Sequence, residues 1–187
     1  MTSTQAVHKD AETRMQGAVE ALAREFAGVR TGRASTALLE GIRVDYYNTP
    51  TPVTQVASLS VPDPRTILVQ PWDASVLPKL EKAIQKSDLG VTPTNDGKVI
   101  RLAIPPLNEE RRKQLAKSVG KLAEDGRVAV RNVRREAKDK LRALARDKKI
   151  SEDDEKRSEA ELQKLTDRFI QRVDELLKKK EQEILEF

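Results

Sequence analysis

The sequence predicts an α+β protein, an antiparallel three-helix bundle with a small β/α/β domain inserted between its first and second helices. Three observations carry this reading. Apolar residues repeat at helical spacing over residues 7–30 and again over residues 108–187. Between those stretches the pattern changes to short alternating runs broken by prolines and glycines. The charged fraction is 35% and the aromatic fraction only 3%, which favours long helices packed through aliphatic side chains.

The first helix is expected over residues 7–30. Its seam is Ala11, Met15, Val19, Leu22, Phe26 and Val29, spaced 4, 4, 3, 4 and 3. Gly17 and Gly28 each weaken it by about 1 kcal/mol relative to alanine, so it must pack to persist. From Thr31, TGRAS brings turn-forming residues. GIRVDYY and TPVTQVASLSV then read as strands divided by NTPTP, whose prolines exclude a helix. A proline-bracketed strand in VPDPRTILVQPW follows, then a short amphipathic helix ending near Gly90, a turn in TPTNDGK and a last strand in VIRLAIPPL.

Asn108 is a good N-cap for the second long helix, with Glu109 and Glu110 where the helix dipole favours acids. Its seam, Leu115, Val119, Leu122, Ala129, Val133, Ala137, Leu141 and Leu144, runs to about residue 149, a rod of roughly 60 Å. Ser151 and Asp154 form a capping-box signal for a third helix carrying Leu162, Leu165, Phe169, Val173 and Leu176. The link KKIS is short enough to make these two helices antiparallel neighbours. Residues 1–30 and 106–187 therefore compose the bundle, and residues 31–105 compose the insertion. Two strands of chain join them, a hinge with Arg30, Thr31 and Gly32 on one side and Pro105 and Pro106 on the other. On this reading Gly32 loosens its strand and the prolines stiffen theirs.

Composition and motifs exclude most chemistry. With no cysteine there is no disulfide, thiolate nucleophile or zinc–thiolate site. No run of about 18 apolar residues suggests a membrane span, and the N-terminus lacks the pattern of a signal or transit peptide, so a cytosolic protein is expected. His8, the single histidine, is expected to be solvent-exposed near a frayed terminus, without triad partners. GVTPTNDGKV is no phosphate loop, because six residues separate Gly90 from Gly97 and Val99 stands where a magnesium-binding hydroxyl belongs. The acids of SEDDE are explained by capping and the helix dipole without a metal. Tyr46, Tyr47 and Trp72 admit base stacking, but aromatics in short strands of a small domain more often belong to its core or surface packing, and they identify no ligand. No catalytic residue, metal or cofactor is expected.

The charge is unevenly placed. The net +5 conceals residues 106–149, with fifteen basic against seven acidic side chains, and residues 150–187, with eight against twelve. Within the basic segment Arg127, Arg131, Arg134, Lys138 and Arg142 repeat at spacings of 4, 3, 4 and 4 and share one helix face, with RNVRR (131–135) the densest part. A polyanion such as nucleic acid fits that face, and so does a solvated face of a long charged helix.

Several blocks in order resemble ribosome recycling factors: KDAETRM (9–15), VRTGRAS (29–35), YYNTPTPV (46–53), KAIQKSDLG (82–90), PPLNEERRKQL (105–115), RVAVRNVRREAKDK (127–140) and KKISEDD (148–154). The resemblance covers the chain from about Lys9 and implies an L-shaped protein that acts after termination. With elongation factor G, which hydrolyses GTP, such factors split the post-termination ribosome into subunits and perform no bond chemistry themselves. It further implies a monomer whose bundle lies on the rRNA of the large ribosomal subunit, with Arg131, Arg134 and Arg135 as contacts from RNVRR and Arg30 and Arg33 from VRTGR. Arg127 and Lys138 join them by helical position. Residues 1–8 receive no role. A general helical RNA- or DNA-binding protein is the alternative, since the basic stripe alone would suffice for it.

Overall fold

The computed structural model describes residues 3–186; Met1, Thr2 and Phe187, the ends of the expected bundle, lie outside the described residues. Its long helices are α1 (Ser3–Ala27), α3 (Glu109–Arg146) and α4 (Glu152–Glu186), and between α1 and α3 lie six strands and the short helix α2 (Leu77–Gln85). By its internal contacts the chain divides into two compact units, Met1–Phe26 with Ala116–Gln182 and Ala27–Leu115 with Glu183–Phe187.

In the first unit the three helices bury one aliphatic seam each. Ala11, Met15, Val19, Leu22 and Phe26 of α1 are all buried, as their spacing predicts, whereas Val29 falls beyond the helix end and is half-buried. Along α3 the buried apolar positions are Leu115, at the limit of the second unit, and then Val119, Ala123, Val130, Val133, Ala137 and Leu141. Leu122, Ala129 and Leu144, expected in that seam, are only half-buried, because the buried line falls one residue further round the helix at Ala123 and Val130. In α4, Leu162, Phe169 and Val173 are buried, Leu165 and Leu176 half-buried. The buried hydroxyl of Thr166 donates to the Leu162 carbonyl at 2.8 Å, so its burial leaves no donor unsatisfied.

Polar pairs between the helices record their directions. Arg127 meets Asp174 and Lys138 meets Glu159, so α3 and α4 run antiparallel. Arg14 meets Glu136 and Lys140 meets Asp10, so α3 and α1 are antiparallel too. His8 and Glu161, then Glu12 and Arg168, make α1 and α4 parallel. At Gly126 of α3, an added Cβ would stand 3.2 Å from Leu22 Cδ2 of α1. α1 also begins four residues earlier than its periodicity suggests, and this corrects the reading of His8. The imidazole is 20% exposed, within α1, with Nε2 3.6 Å from Glu161 Oε2.

The helix ends follow local chemistry. Asn108 Oδ1 accepts the Arg111 amide at 2.7 Å, satisfying one of the free donors at the start of α3. Ser151 Oγ accepts the Asp154 amide at 3.0 Å and Asp154 Oδ2 accepts the Ser151 amide at 3.4 Å, the reciprocal pair of a capping box. Asn108→Ala is expected to lower stability by about 1 kcal/mol and Asn108→Gly by only a few tenths, measured by urea denaturation.

The second unit contains a four-stranded antiparallel sheet of order β3-β4-β6-β5, built from β3 (Ala57–Asp63), β4 (Thr66–Pro71), β5 (Pro93–Asn95) and β6 (Ile100–Ala103), and a separate hairpin of β1 (Arg43–Tyr46) and β2 (Thr49–Pro52). Ile67, Val69, Ile100 and Leu102 point from the sheet into a core that includes Leu77, Leu80 and Ile84 of α2. Two expectations are corrected here. NTPTP is no divider, because Thr49–Pro52 is itself a strand paired with β1; TPTNDGK is no plain turn, because Pro93–Asn95 pairs with β6. Prolines survive at both places because an edge strand need not donate on its outer side.

The joining segments have defined geometry. Thr31 is 4% exposed and Gly32 is buried at φ +80°, in the left-handed region that glycine adopts without strain. Gly32 thus answers a conformational demand that other residues meet only with strain. Arg30 Nη1 donates to the Leu89 carbonyl at 3.4 Å, while Pro105 and Pro106 are exposed. Arg30, Thr31, Gly32, Pro105 and Pro106 all fall within the second unit, whose limits are Phe26/Ala27 and Leu115/Ala116.

Candidate nucleic-acid interface

The stripe of five cations on α3 is already occupied by neighbours on one side. Arg127 donates Nε to Asp174 Oδ1 at 2.9 Å and Nη1 to Glu124 Oε2 at 2.9 Å, and its side chain is only 20% exposed. Lys138 and Arg142 both reach Glu159 of α4, at 3.8 and 3.6 Å. Arg134 Nη1 donates to Gln163 Oε1 at 2.8 Å, and together with Lys138, Lys156 and Glu159 it lines a groove of about 350 Å³ along α3 and α4. The acidic excess of residues 150–187 therefore serves partly to neutralise the basic excess of residues 106–149 within the bundle. Four of the five cations thus have a partner on α4, and Lys138 and Arg142 keep 41% and 59% of their side chains exposed.

The outward ridge of α3 is rotated from that stripe. Lys117, Lys121, Glu124, Val128, Arg131 and Arg135 follow at spacings of 4, 3, 4, 3 and 4, opposite the seam of Val119, Ala123, Val130 and Ala137. Lys117, Lys121 and Arg135 are exposed and have no ion-pair partner among the described residues. Arg131 is 42% exposed and its one ion pair, at 3.3 Å, is with Glu124 of the same helix. Val128 is an exposed apolar residue among them. The structure thus unites Arg131 and Arg135 on the ridge and turns Arg127, Arg134 and Lys138 toward α4. Lys117 and Lys121 were missed; the signal that finds them is their position half a turn from the buried seam, not local charge density.

Ion pairing is reflected in the titrating groups. The hydrogen bond from Arg127, followed by charge attraction to Arg127 and Arg131, outweighs desolvation and holds the Glu124 carboxyl below the usual glutamate range. Hydrogen bonding from Arg14 does the same for Glu136 on the side of α3 that faces α1. Arg127 is pushed further up, chiefly by Asp174.

Arg30 and Arg33 belong to the second unit, where Arg33 is exposed. That unit also displays Tyr47 and Trp72, at 74% and 69% exposure, so packing in the domain core does not account for them. Only Tyr46 packs on the core, with its ring centroid 4.5 Å from that of Tyr47. Tyr47 and Asn48 form the two-residue hairpin loop at φ +49° and +61°. Among the described residues no group of three or more His, Cys, Asp or Glu side chains is arranged to hold a metal, and no helix is long and apolar enough to cross a membrane.

A three-helix bundle with an outward cationic ridge and an α+β insertion defines a class of helical factor suited to a large polyanionic partner. Comparison with known proteins narrows the class. Residues 22–185 match the family model described as ribosome recycling factor. The chain is 58% identical to the ribosome-recycling factor of Carboxydothermus hydrogenoformans over 181 residues, covering 97% of this chain and 98% of that one. It is 56% identical to that of Oleidesulfovibrio alaskensis over 177 residues, 95% and 96% of the two chains. A solution structure of ribosome recycling factor superposes with a TM-score of 0.82 at 45% identity, over the whole of both chains. A second structure places the Thermus thermophilus factor and Escherichia coli elongation factor G on the E. coli post-termination complex; its recycling factor matches at 51% identity and a TM-score of 0.70, over 99% of this chain and 100% of that one. The chain belongs to the ribosome recycling factor family, and as such it is a non-enzymatic translation factor that acts on ribosomes.

Proposed function

We propose that this chain binds the post-termination ribosome in the cytoplasm as a monomer and, with elongation factor G and GTP, separates it into subunits. The bundle is the anchor: Arg131 and Arg135, with Lys117 and Lys121, lie on rRNA of the large subunit, and Arg134, Lys138 and Arg127 border that surface on the α4 side. The observation that carries this reading is the outward ridge of α3, where three cations have no partner among the described residues. Arginine suits the task because its planar fork grips a phosphate with two hydrogen bonds. Arg30 and Arg33 extend the RNA contact from the second unit. Arg30, Thr31, Gly32, Pro105 and Pro106, on the two strands of chain a few residues inside the limits at Phe26/Ala27 and Leu115/Ala116, act as the hinge through which elongation factor G moves the sheet and α2, and α3, 38 residues and about 57 Å of continuous helix, serves as a stiff arm. A general RNA- or DNA-binding role leaves the insertion without a task and does not match the family.

The direct test is subunit splitting of post-termination ribosomes, with and without elongation factor G and GTP. Splitting is expected only when chain, translocase and GTP are all present, and splitting that ignores the chain would refute the reading. The hinge has its own test, made simple by a chain with no native cysteine. A cysteine pair cross-linked between the two units is expected to preserve ribosome binding and abolish splitting, with reduction restoring it. Full splitting by the cross-linked protein would remove the hinge.

A further inference from the structure

Glu124 is out of place on a phosphate-binding ridge. It is exposed, lies on the ridge between Lys121 and Val128, and its two oxygens are shared between two arginines: Oε2 accepts from Arg127 at 2.9 Å and Oε1 from Arg131 at 3.3 Å. Arg127 is in turn held by Asp174 of α4 through Nε and Nη2, at 2.9 and 2.8 Å. The result is a chain of four alternating charges, Asp174, Arg127, Glu124 and Arg131, running from α4 to the ridge. Its net charge is zero. In the free protein Arg131, one of the four ridge cations, is therefore neutralised by a carboxylate of its own helix.

Resting on the proposed rRNA interface, we propose that Glu124 is a built-in competitor for Arg131, a carboxylate that occupies the arginine in the free factor and yields it to an RNA phosphate on binding. The geometry makes the exchange inexpensive. Arg131 is paired on one side only, at the longest arginine distance in the chain of four, and its side chain is 42% exposed. When it turns to a phosphate, Glu124 keeps its shorter bond to Arg127, which Asp174 holds in place. No carboxylate is left bare, as would happen if the pair were isolated. The carboxylate also fixes Arg131 along the ridge before binding. The cost appears in affinity, since a fixed negative charge beside the phosphate repels it and lowers the number of counterions released. A factor that must leave the ribosome after each round gains from such a brake, which acts mainly on the dissociation rate.

The test is Glu124→Gln, which keeps shape and one acceptor but removes the charge. Binding of isolated large ribosomal subunits is measured across a salt series, with Arg135→Ala and Arg131→Ala as companions and thermal unfolding as a check on the fold. Glu124→Gln is expected to bind on the order of three- to tenfold tighter at low salt, to dissociate more slowly, and to steepen the salt dependence by about one ion. In the Arg131→Ala background the same change is expected to lose most of its effect, which separates competition for Arg131 from general repulsion. Equal or weaker binding by Glu124→Gln, or a gain that persists undiminished without Arg131, overturns the proposal while loss of binding by Arg135→Ala upholds the interface. Full affinity in Arg135→Ala and Arg131→Ala removes the interface, and the proposal with it.

Discussion

Arg135→Glu is expected to lower affinity for the large ribosomal subunit on the order of 10- to 100-fold at low salt and to flatten its salt dependence by one to two ions, about one for each unit of charge removed. The fold should be untouched, because Arg135 is exposed and has no ion-pair partner within the described chain. Arg127→Ala is the informative contrast. It strips two carboxylates, Asp174 and Glu124, of a shared partner and so acts first on the α3–α4 packing. Its melting temperature should fall more than its salt slope changes. Arg134→Ala stands between them, losing a 2.8 Å bond to Gln163 as well as a cation at the edge of the ridge. Equilibrium binding at several salt concentrations, paired with thermal denaturation by circular dichroism, ranks the three, and an unchanged affinity for Arg135→Glu would remove that residue from the surface.

The second large effect concerns the core. Phe169 is 1% exposed and its ring lies 5.2 Å from the guanidinium carbons of both Arg168 and Arg172, so it supports two cations as well as the seam. Phe169→Ala should destabilise the first unit by about 3–5 kcal/mol, from lost transfer energy and the cavity left behind. For a chain of this size that is roughly a 10 °C fall in melting temperature. Because the contacts divide the chain into two units, hydrogen exchange should find the loss in α1, α3 and α4, with amides of β4 and β6 keeping most of their protection. Uniform loss across both units would mean that they unfold as one.

What could be read from residues alone depended on how far the deciding interaction lies along the chain. The seam of α1 was legible because aliphatic side chains at spacings of three and four have one reading. The caps at Asn108 and Ser151 were legible because donor and acceptor are three residues apart. β2 was not, since Pro50 and Pro52 mask a strand whose partner, β1, tolerates them only at an edge. On α3 the difficulty was rotational. A shift of one residue, about 100° around the helix, exchanges Ala129 for Val130 in the seam and carries Arg134 from the outer ridge to the side facing α4. Charge density picked out RNVRR correctly as a concentration, but only the position of α4 distinguishes the cations that face it from those that face outward.

The partners of α1 have a consequence for synthesis. Arg14 pairs with Glu136 and Glu12 with Arg168, so α1 waits for residues more than a hundred positions later. At about 5–20 residues per second that interval lasts several seconds or more, during which Met15, Leu22 and Phe26 have no bundle to enter. The intervening residues 27–115, with their own core, can fold in that time, and α3 and α4 then form a hairpin joined by a short turn. The newborn chain thus closes its bundle last, by recruiting its oldest helix onto its youngest two.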